Sequence, residues 1–424
     1  MPDAAQGTSR RRFLAGALGT AGVAAAGAGF GAGFGTARAT TDDGTPTPHP
    51  AAAEVPFYAV HQAGIDTAAQ DRLAFAAFDV TSTDRDDLQV LLASWAAAAA
   101  QMTQGEHIGA DDIDPTRPPL DTGEAVGLPA SQLTITVGFG PSLFDDRFGF
   151  RDKRPKALEP LPQIPGDADL QEEISHGDLC VQACANDPVV AFHAIRNFAR
   201  IARGTAVMRW SQLGFGRTSS TTHAQATPRN LMGFKDGTNN LKAEDTAEMA
   251  KFVWVGDEAD QTWMRGGTYL VSRRIRMLIE SWDTDDLDDQ QAVFGRFKTS
   301  GAPLTGKAEF DTVDLGAKTA DGKDVVDLNA HIRLAAPSQN DGIKLLRRGY
   351  SYTDGIDQRT GYLDAGLFFI AFCRNAHEQF VPVQSRLGQH DRLNEYIVHT
   401  SSGLFAVPRG LTGPGDYWGK DLFT

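Results

Sequence analysis

Apolar residues in the first half of the chain recur with the spacing of strands and helices in a definite order. Short apolar runs predict strands over residues 57–64, 72–80, 133–140, 177–185 and 206–216. Helical spacing runs from Asp84 to about Gln104, and a second helix opens at Pro188 and continues to about residue 202. This order predicts an α+β unit in which helices pack on one face of an antiparallel sheet.

The second half of the chain repeats that order of elements. Its pattern predicts strands over residues 251–256, 268–277, 366–374 and 403–408, and helices over residues 286–297 and 380–397. The simplest architecture is a pair of duplicated ferredoxin-like domains, residues 56–220 and 221–424, each an antiparallel sheet with helices packed on it. Residues 297–363 are rich in loops, and loops of that length usually carry function.

The first 39 residues have the features of an export signal. The arginines of SRRRFL, residues 9–14, precede an uncharged run from Phe13 to Ala37, and Ala37-Arg38-Ala39 offers small residues for cleavage. The run is long enough for a transmembrane anchor, but eight of its 25 residues are glycine, which makes insertion unfavourable. The segment resembles a twin-arginine signal and predicts an extracellular, periplasmic or cell-envelope protein. Residues 40–55 then form a flexible leader rich in Pro, Thr and Ala.

Charge and cysteine content narrow the partners and cofactors. A formal net charge of −14 argues against nucleic acid or an anionic membrane surface as a partner, because both would repel the protein. Three cysteines are too few and too badly spaced for a disulfide framework or a Cys-based zinc site. The chain lacks a C-x-x-C-H motif, so any haem is expected to be held non-covalently.

Five motifs, in the right order along the chain, resemble those of the dye-decolorising peroxidases. The likeness extends from about Phe57 to the C-terminus and is to the secreted, twin-arginine-exported branch. The motifs are VGFGPSLF (137–144), GDLCVQACANDPVVAFHAIR (177–196), GFKDGT (233–238), HIRL (331–334) and LLRRGYSY (345–352).

The resemblance implies a non-covalent b-type haem in the C-terminal half. It assigns His331 as the axial ligand of the haem iron, and Asp236 and Arg347 as the catalytic pair on the opposite, distal side. Arg333 is a further candidate for contact with the haem propionates, to which the resemblance assigns no role. The other haem contacts that the resemblance implies are Gly237, Thr238, Asn239, Ala336, Pro337, Ser338, Arg347 and Phe369.

An axial histidine in a peroxidase needs a carboxylate that accepts a hydrogen bond from its other ring nitrogen. The resemblance points to Glu395 in RLNEYI as this proximal partner, and Asp391, about one helical turn away, is the alternative. His223 is the histidine to test next if His331 is not the ligand. The three cysteines are rival iron ligands, but apolar surroundings predict that they are buried and inert; they are Cys180, Cys184 and Cys373.

The distal pair has the chemistry that cleavage of a peroxide requires. A carboxylate takes a proton from one oxygen and returns it to the other, and a cation stabilises the departing hydroxide. The first arginine of the motif matches the distal position, and strand alternation then directs Arg348 to the opposite face from Arg347. Gly233 and Gly237 are expected to allow the tight backbone that carries Asp236.

The predicted activity is oxidation of phenols, aryl amines and dyes by hydrogen peroxide, in one-electron steps through a ferryl intermediate. Hydrogen peroxide and small aromatic reductants are therefore the expected partners. The protein is not expected to insert into a membrane after the signal is removed, and it could form a homo-oligomer. The alternative is an exported haem-handling or iron-acquisition protein of the same family, which a neighbouring iron permease gene would favour. A third hypothesis, a ferredoxin-like binding module without haem, predicts a colourless protein.

Export by the twin-arginine route is tested by replacing Arg10 and Arg11 with lysine. The doubly substituted protein is expected to stay in the cytoplasm, because the transport receptor requires guanidinium groups and not positive charge alone. Fractionation followed by immunoblotting measures the distribution, and unchanged export would remove the twin-arginine assignment.

Overall fold

The computed structural model describes residues 54–109 and 115–424. The predicted signal peptide, and the predicted leader up to residue 53, lie outside the described residues. Within the described residues, no helix combines the length and the apolar character needed to cross a bilayer.

The first half of the chain forms the predicted strand and helix order. Aspartates begin both helices: the side chain of Asp84 accepts from the backbone N–H of Asp86, and that of Asp187 accepts from Val189 and Val190. The elements are β1 (Arg72–Val80), α1 (Arg85–Met102), β2 (Thr134–Phe139), β3 (Leu179–Ala185), α2 (Pro188–Ile201) and β4 (Ala206–Arg217).

The second half begins with a short helix, α3 (Thr246–Phe252), and then repeats the order with additional short helices. Its elements are β5 (Thr268–Met277), α4 (Ile279–Trp282), α5 (Leu287–Phe294), α6 (His331–Leu334), β6 (Leu346–Arg347), β7 (Tyr350–Ile356), β8 (Leu363–Cys373), α7 (Ala376–His390) and β9 (Ile397–Val407).

The two halves have the same strand order, which confirms the predicted α+β, duplicated ferredoxin-like fold. The first half is ordered β4-β1-β3-β2, and the second is ordered β7-β8-β5-β9, with antiparallel pairing throughout. Strand β4 also pairs with β7, and β2 meets β9 at Phe139 and Ala406, so the pairings trace a closed ring of eight strands. The ninth, β6, lies at the free edge beyond β8.

Three predicted elements are wrong. Residues 57–64 are bends and turns, because the side chain of Gln62 bonds to the backbone of β2, accepting from Val137 N–H at 2.8 Å and donating to Val137 O at 3.0 Å. Residues 251–256 are not a strand, because α3 continues to Phe252. The helix predicted over 380–397 ends at His390, since Asp391 is extended and its side chain caps a separate 3₁₀ turn at Arg392–Glu395.

A buried ion pair joins the segment between β2 and β3 to the sheet of the second half. Arg273 on β5 donates to Asp167, and both side chains are almost fully buried. Buried His399 lies beside this pair, and burial, reinforced by the Arg273 charge, lowers the pKa of His399 to about 4. The neutral imidazole therefore adds no second positive charge to Arg273, whose neighbour across the strands is Phe369.

Candidate active site

A glycine-framed turn brings Asp236 against Arg347. Gly233 and Gly237 both have a positive φ, +83° and +84°, which confirms the special backbone expected for GFKDGT. A guanidinium N–H of Arg347 donates to Asp236 Oδ1 at 3.1 Å, and the side-chain amide of Asn230 donates to Oδ2 at 3.3 Å. The pair is partly buried, with exposed fractions of 29% for Arg347 and 17% for Asp236.

Arg347 and Arg348 lie on opposite faces of the sheet, as strand alternation predicts. Arg348 is fully buried and donates to Thr67 O and to the side chain of Gln70. Arg347 pairs with Ala371 on β8, and Phe369 follows two residues away on the same strand face. Half-buried Phe369 therefore shares a face of the sheet with Arg347.

Asn240 connects the glycine-framed turn to the strand that carries Arg347. Its Oδ1 accepts from Arg347 N–H, and its Nδ2 donates to Arg347 O, both at 2.8 Å. Sequence reasoning missed this residue, which immediately follows the predicted haem contact Asn239. The available signal was its position two residues after the GFKDGT motif, in which only the aspartate and the glycines had been given a role.

The other predicted contacts of this turn differ in their surroundings. Gly237 is buried, Thr238 is half-buried, and Asn239 is exposed. Thr238 donates to Glu309 at 3.1 Å, and Glu309 also pairs with Lys235 at 3.0 Å. Burial raises the pKa of Glu309, but hydrogen bonds from Thr227 and Lys235 outweigh it and hold the pKa below its ordinary value.

The imidazole of His331 is held by Asp391. Its Nδ1 lies 2.6 Å from Asp391 Oδ2, and the Asp391 side chain is only 3% exposed. Asp391 was the alternative to Glu395, and the prediction of Glu395 is wrong: that side chain is exposed on the 3₁₀ turn. The chain bends at Asp391, which directs this carboxylate inward and leaves Glu395 facing solvent.

The Asp391 carboxylate controls the proton affinity of His331. Burial alone lowers the pKa of this imidazole, but the charge and the hydrogen bond of Asp391 outweigh burial and raise it above its ordinary value. Asp236 also raises the pKa of His331, and Arg347 lowers it. The histidine and the distal pair are therefore within electrostatic reach of each other.

The side chain of His331 is 32% exposed, and no described residue hydrogen-bonds to its Nε2. The ring edge packs against Phe294, with the ring centroids 6.1 Å apart. Phe294 belongs to a buried apolar cluster with Met232, Phe234 and Trp282. The imidazole of His331 thus packs against an apolar side chain, and the charges of Asp236 and Arg347 act on it.

The segment after the histidine is a short 3₁₀ turn. Ala336 and Pro337 are half-buried and Ser338 is exposed, so the backbone and one hydroxyl are the polar groups that they offer. Arg333 is directed away from them: its guanidinium donates to Asp327 O at 3.1 Å and to Val326 O at 2.7 Å. Its guanidinium thus stabilises the loop that precedes His331.

The rival iron ligands are not placed for that role. All three cysteines are buried, and burial raises the pKa of each thiol, that of Cys373 to about 12. Cys180 and Cys184 lie in the core enclosed by the ring of strands. His223 is exposed and pairs with Asp245 at 3.3 Å.

Family models for the N-terminal and C-terminal parts of Dyp-type peroxidase match residues 62–216 and 227–412. A deferrochelatase of Escherichia coli strain K12 is 38% identical over 384 residues, which is 89% of each chain. The chain belongs to the Dyp-type peroxidase family.

Solved structures agree with this membership. DtpA from Streptomyces lividans, determined as an oxyferrous/water mixed complex, is 40% identical with a TM-score of 0.81, and the match covers 89% of this chain and all of DtpA. A DyP-type peroxidase from Cellulomonas bogoriensis is 38% identical with a TM-score of 0.79, over 89% of this chain and 99% of that one.

The residues present fit the haem that a Dyp-type peroxidase uses. Haem iron requires one axial ligand from the protein, and His331 offers an unbonded Nε2 while its Nδ1 is fixed by a buried carboxylate. Gly237, at positive φ, forms the turn that holds Asp236 beside Arg347. The chain is therefore a haem-dependent peroxidase, and hydrogen peroxide and a reductant are its substrates.

The backbone of Gly237 is expected to tolerate no side chain. Gly237→Ala should lower the free energy of unfolding by about 2–4 kcal/mol, because alanine is strained at positive φ and its Cβ would lie 3.0 Å from Ser219 Cα. Gly322→Ala is the matched control: φ is +82° there, but no described atom lies within 4 Å of the added Cβ. It should cost only about 1–2 kcal/mol. Equal losses in urea unfolding would refute the steric argument.

Proposed function

We propose that His331 is the axial haem ligand, that Asp391 is its hydrogen-bond partner, and that Asp236 and Arg347 act on hydrogen peroxide. The observation that carries the proposal is the 2.6 Å contact between His331 Nδ1 and buried Asp391. A carboxylate on one ring nitrogen fixes the tautomer, leaves the lone pair of the other nitrogen for iron, and strengthens the imidazole as a donor.

Haem held by His331 would supply the redox chemistry: two electrons to break the O–O bond, which the reductant would return one at a time. Asp391 keeps a proton on His331 Nδ1 and holds the ring in one orientation. Because Asp391 also accepts from Leu393 N–H at 2.9 Å, its own position is fixed by the backbone. The proximal geometry therefore does not depend on a flexible side chain.

On the distal side, Asp236 accepts a proton from the near oxygen of peroxide and returns it to the far oxygen. The Arg347 guanidinium stabilises the negative charge that develops on the departing oxygen. Their 3.1 Å contact keeps both groups at one place, and partial burial limits the water that would otherwise compete for them.

The remaining haem contacts in this proposal come from three segments. Gly237, Thr238 and Asn239 follow the distal carboxylate, and Phe369 forms an apolar wall on the face of the sheet that carries Arg347. Ala336, Pro337 and Ser338 contact the propionate side through the backbone and the serine hydroxyl. Arg333 is not included, because its Nε and one terminal nitrogen donate within the 324–327 loop.

The reductants in this proposal are small aromatic molecules: phenols, aryl amines and dyes. The net charge of −14 favours neutral or cationic substrates over anionic ones. We also propose export through the twin-arginine pathway, on the strength of the arginines and the uncharged run at residues 9–37.

The likeness to the deferrochelatase of Escherichia coli favours a second candidate function, haem handling for iron acquisition. The two functions differ in the fate of the iron, which a peroxidase retains through every turnover. Free iron measured with a ferrous chelator in peroxide-turnover samples distinguishes them. Iron release that keeps pace with haem consumption would favour the second function.

The proximal assignment is tested by comparing Asp391→Asn with Glu395→Gln. In Asp391→Asn the Fe³⁺/Fe²⁺ reduction potential is expected to rise, because a neutral amide no longer strengthens the His331 donor. Asparagine still caps the following turn, so the fold should be retained. Glu395→Gln should leave the potential unchanged. A spectroelectrochemical titration in which only Glu395→Gln shifts the potential would reverse the assignment.

The distal assignment is tested by Asp236→Asn and Arg347→Leu. Each is expected to slow the reaction of the haem-loaded protein with peroxide by roughly 10²-fold or more, because one removes the base and the other removes the stabilising charge. Stopped-flow absorption measures the second-order rate constant. Exposed Asp245→Asn and Arg359→Leu are the matched controls. An Arg347→Leu protein that reacts at the wild-type rate would eliminate its proposed role.

A further inference from the structure

Arg347 lies on the shortest strand of the sheet. Strand β6 contains only Leu346 and Arg347, and it pairs with β8 on one side. Its other side is a free edge in the sheet order. The pairing with β8 continues past β6, since Arg348 N–H donates to Ile370 O at 2.8 Å, but it holds the Arg347 backbone from one side only.

The side chain of Asn240 occupies that free edge. Its amide accepts from the N–H of Arg347 and donates to the C=O of the same residue, each at 2.8 Å. A planar primary amide has the same donor and acceptor as a peptide group, so it completes the pairing that a neighbouring strand would supply. A hydroxyl can also donate and accept, but the amide of asparagine or glutamine carries its donor and acceptor in the geometry of a peptide group.

Asn240 is itself held on the turn that carries Asp236. Its backbone N–H donates to Gly237 O at 3.0 Å, and its Nδ2 also donates to Ser220 O at 3.1 Å. The side chain is buried, and its polar atoms have protein partners. A rigid connection therefore runs from the Asp236 turn through the Asn240 amide to the Arg347 backbone.

We propose that Asn240 is a positioning residue that sets the place of the Arg347 guanidinium relative to Asp236 and to the peroxide. This inference rests on the role of Arg347 proposed above. Asn240 acts only through Arg347: its amide is used on the backbone, so it does not itself touch the substrate. Removing it lets β6 shift at its free edge, and a displacement near 1 Å at a reacting group costs about 10²-fold in rate.

The test uses fluoride binding to the ferric haem-loaded protein, which requires no turnover. Fluoride is an anionic acceptor, so a correctly placed guanidinium increases its affinity. Asn240→Ala is expected to weaken fluoride binding roughly tenfold, measured by absorption titration, with haem content unchanged. Asn240→Ser, which is neutral and retains a hydroxyl, should give a smaller loss in the same direction and serves if the alanine variant does not fold. Asn186→Ala, an exposed asparagine of the first half, is the control.

A double-mutant cycle with Arg347→Leu separates positioning from general damage. Arg347→Leu alone should weaken fluoride binding at least as much as Asn240→Ala, and the double variant should be no weaker than Arg347→Leu. Additive losses would show that Asn240 acts by another route and would overturn the inference. Wild-type affinity in Asn240→Ala and Asn240→Ser, with a loss in Arg347→Leu, would also overturn it. Wild-type affinity in Arg347→Leu would refute the proposed role of Arg347 itself.

Discussion

The buried carboxylate of Asp391 is accommodated because both of its oxygens have partners: His331 Nδ1 at 2.6 Å and the backbone N–H of Leu393 at 2.9 Å. An unpaired carboxylate at this depth would be strongly destabilising. The pairing requires the chain to leave helix α7 at His390 and turn inward. That bend sets the direction of the following 3₁₀ turn and strand, and it places the imidazole of α6 with its other nitrogen free.

Around Asp236 and Arg347, side-chain amides of asparagines hold short backbone segments in place. Asn230 donates to one oxygen of Asp236, and its own Oδ1 accepts from Met232 N–H at 3.1 Å. Asn240 does the equivalent for the backbone of Arg347. Asp236 lies outside the helices and strands, and Arg347 lies on a strand of two residues, so these amides add hydrogen bonds that help to fix both groups.

The closed ring of strands explains why the adjacent residues Arg347 and Arg348 have different surroundings. Arg348 is directed into the ring, where its two terminal nitrogens donate to backbone and amide oxygens of residues 67–70. Arg347 lies on the outer face, with Phe369 and the carboxylate of Asp236. A shift of one residue in the pairing of β6 with β8 would exchange their faces, and it would bury the distal charge in the core.

Local pattern determined much of this protein. Strand and helix periodicity predicted β1, α1, β3, α2, β5 and β8, and the motifs gave His331, Asp236 and Arg347 as candidates, because these features depend on residues close together in sequence. Tertiary structure decided the rest. Asp391 replaced Glu395 because a bend, and not a continuous helix, carries both residues. Residues 57–64 are not a strand because a glutamine side chain takes the hydrogen bonds of β2. Asn240 acquired its contacts only when β6, more than 100 residues later, came beside it, and such long-range pairing leaves no periodic signal.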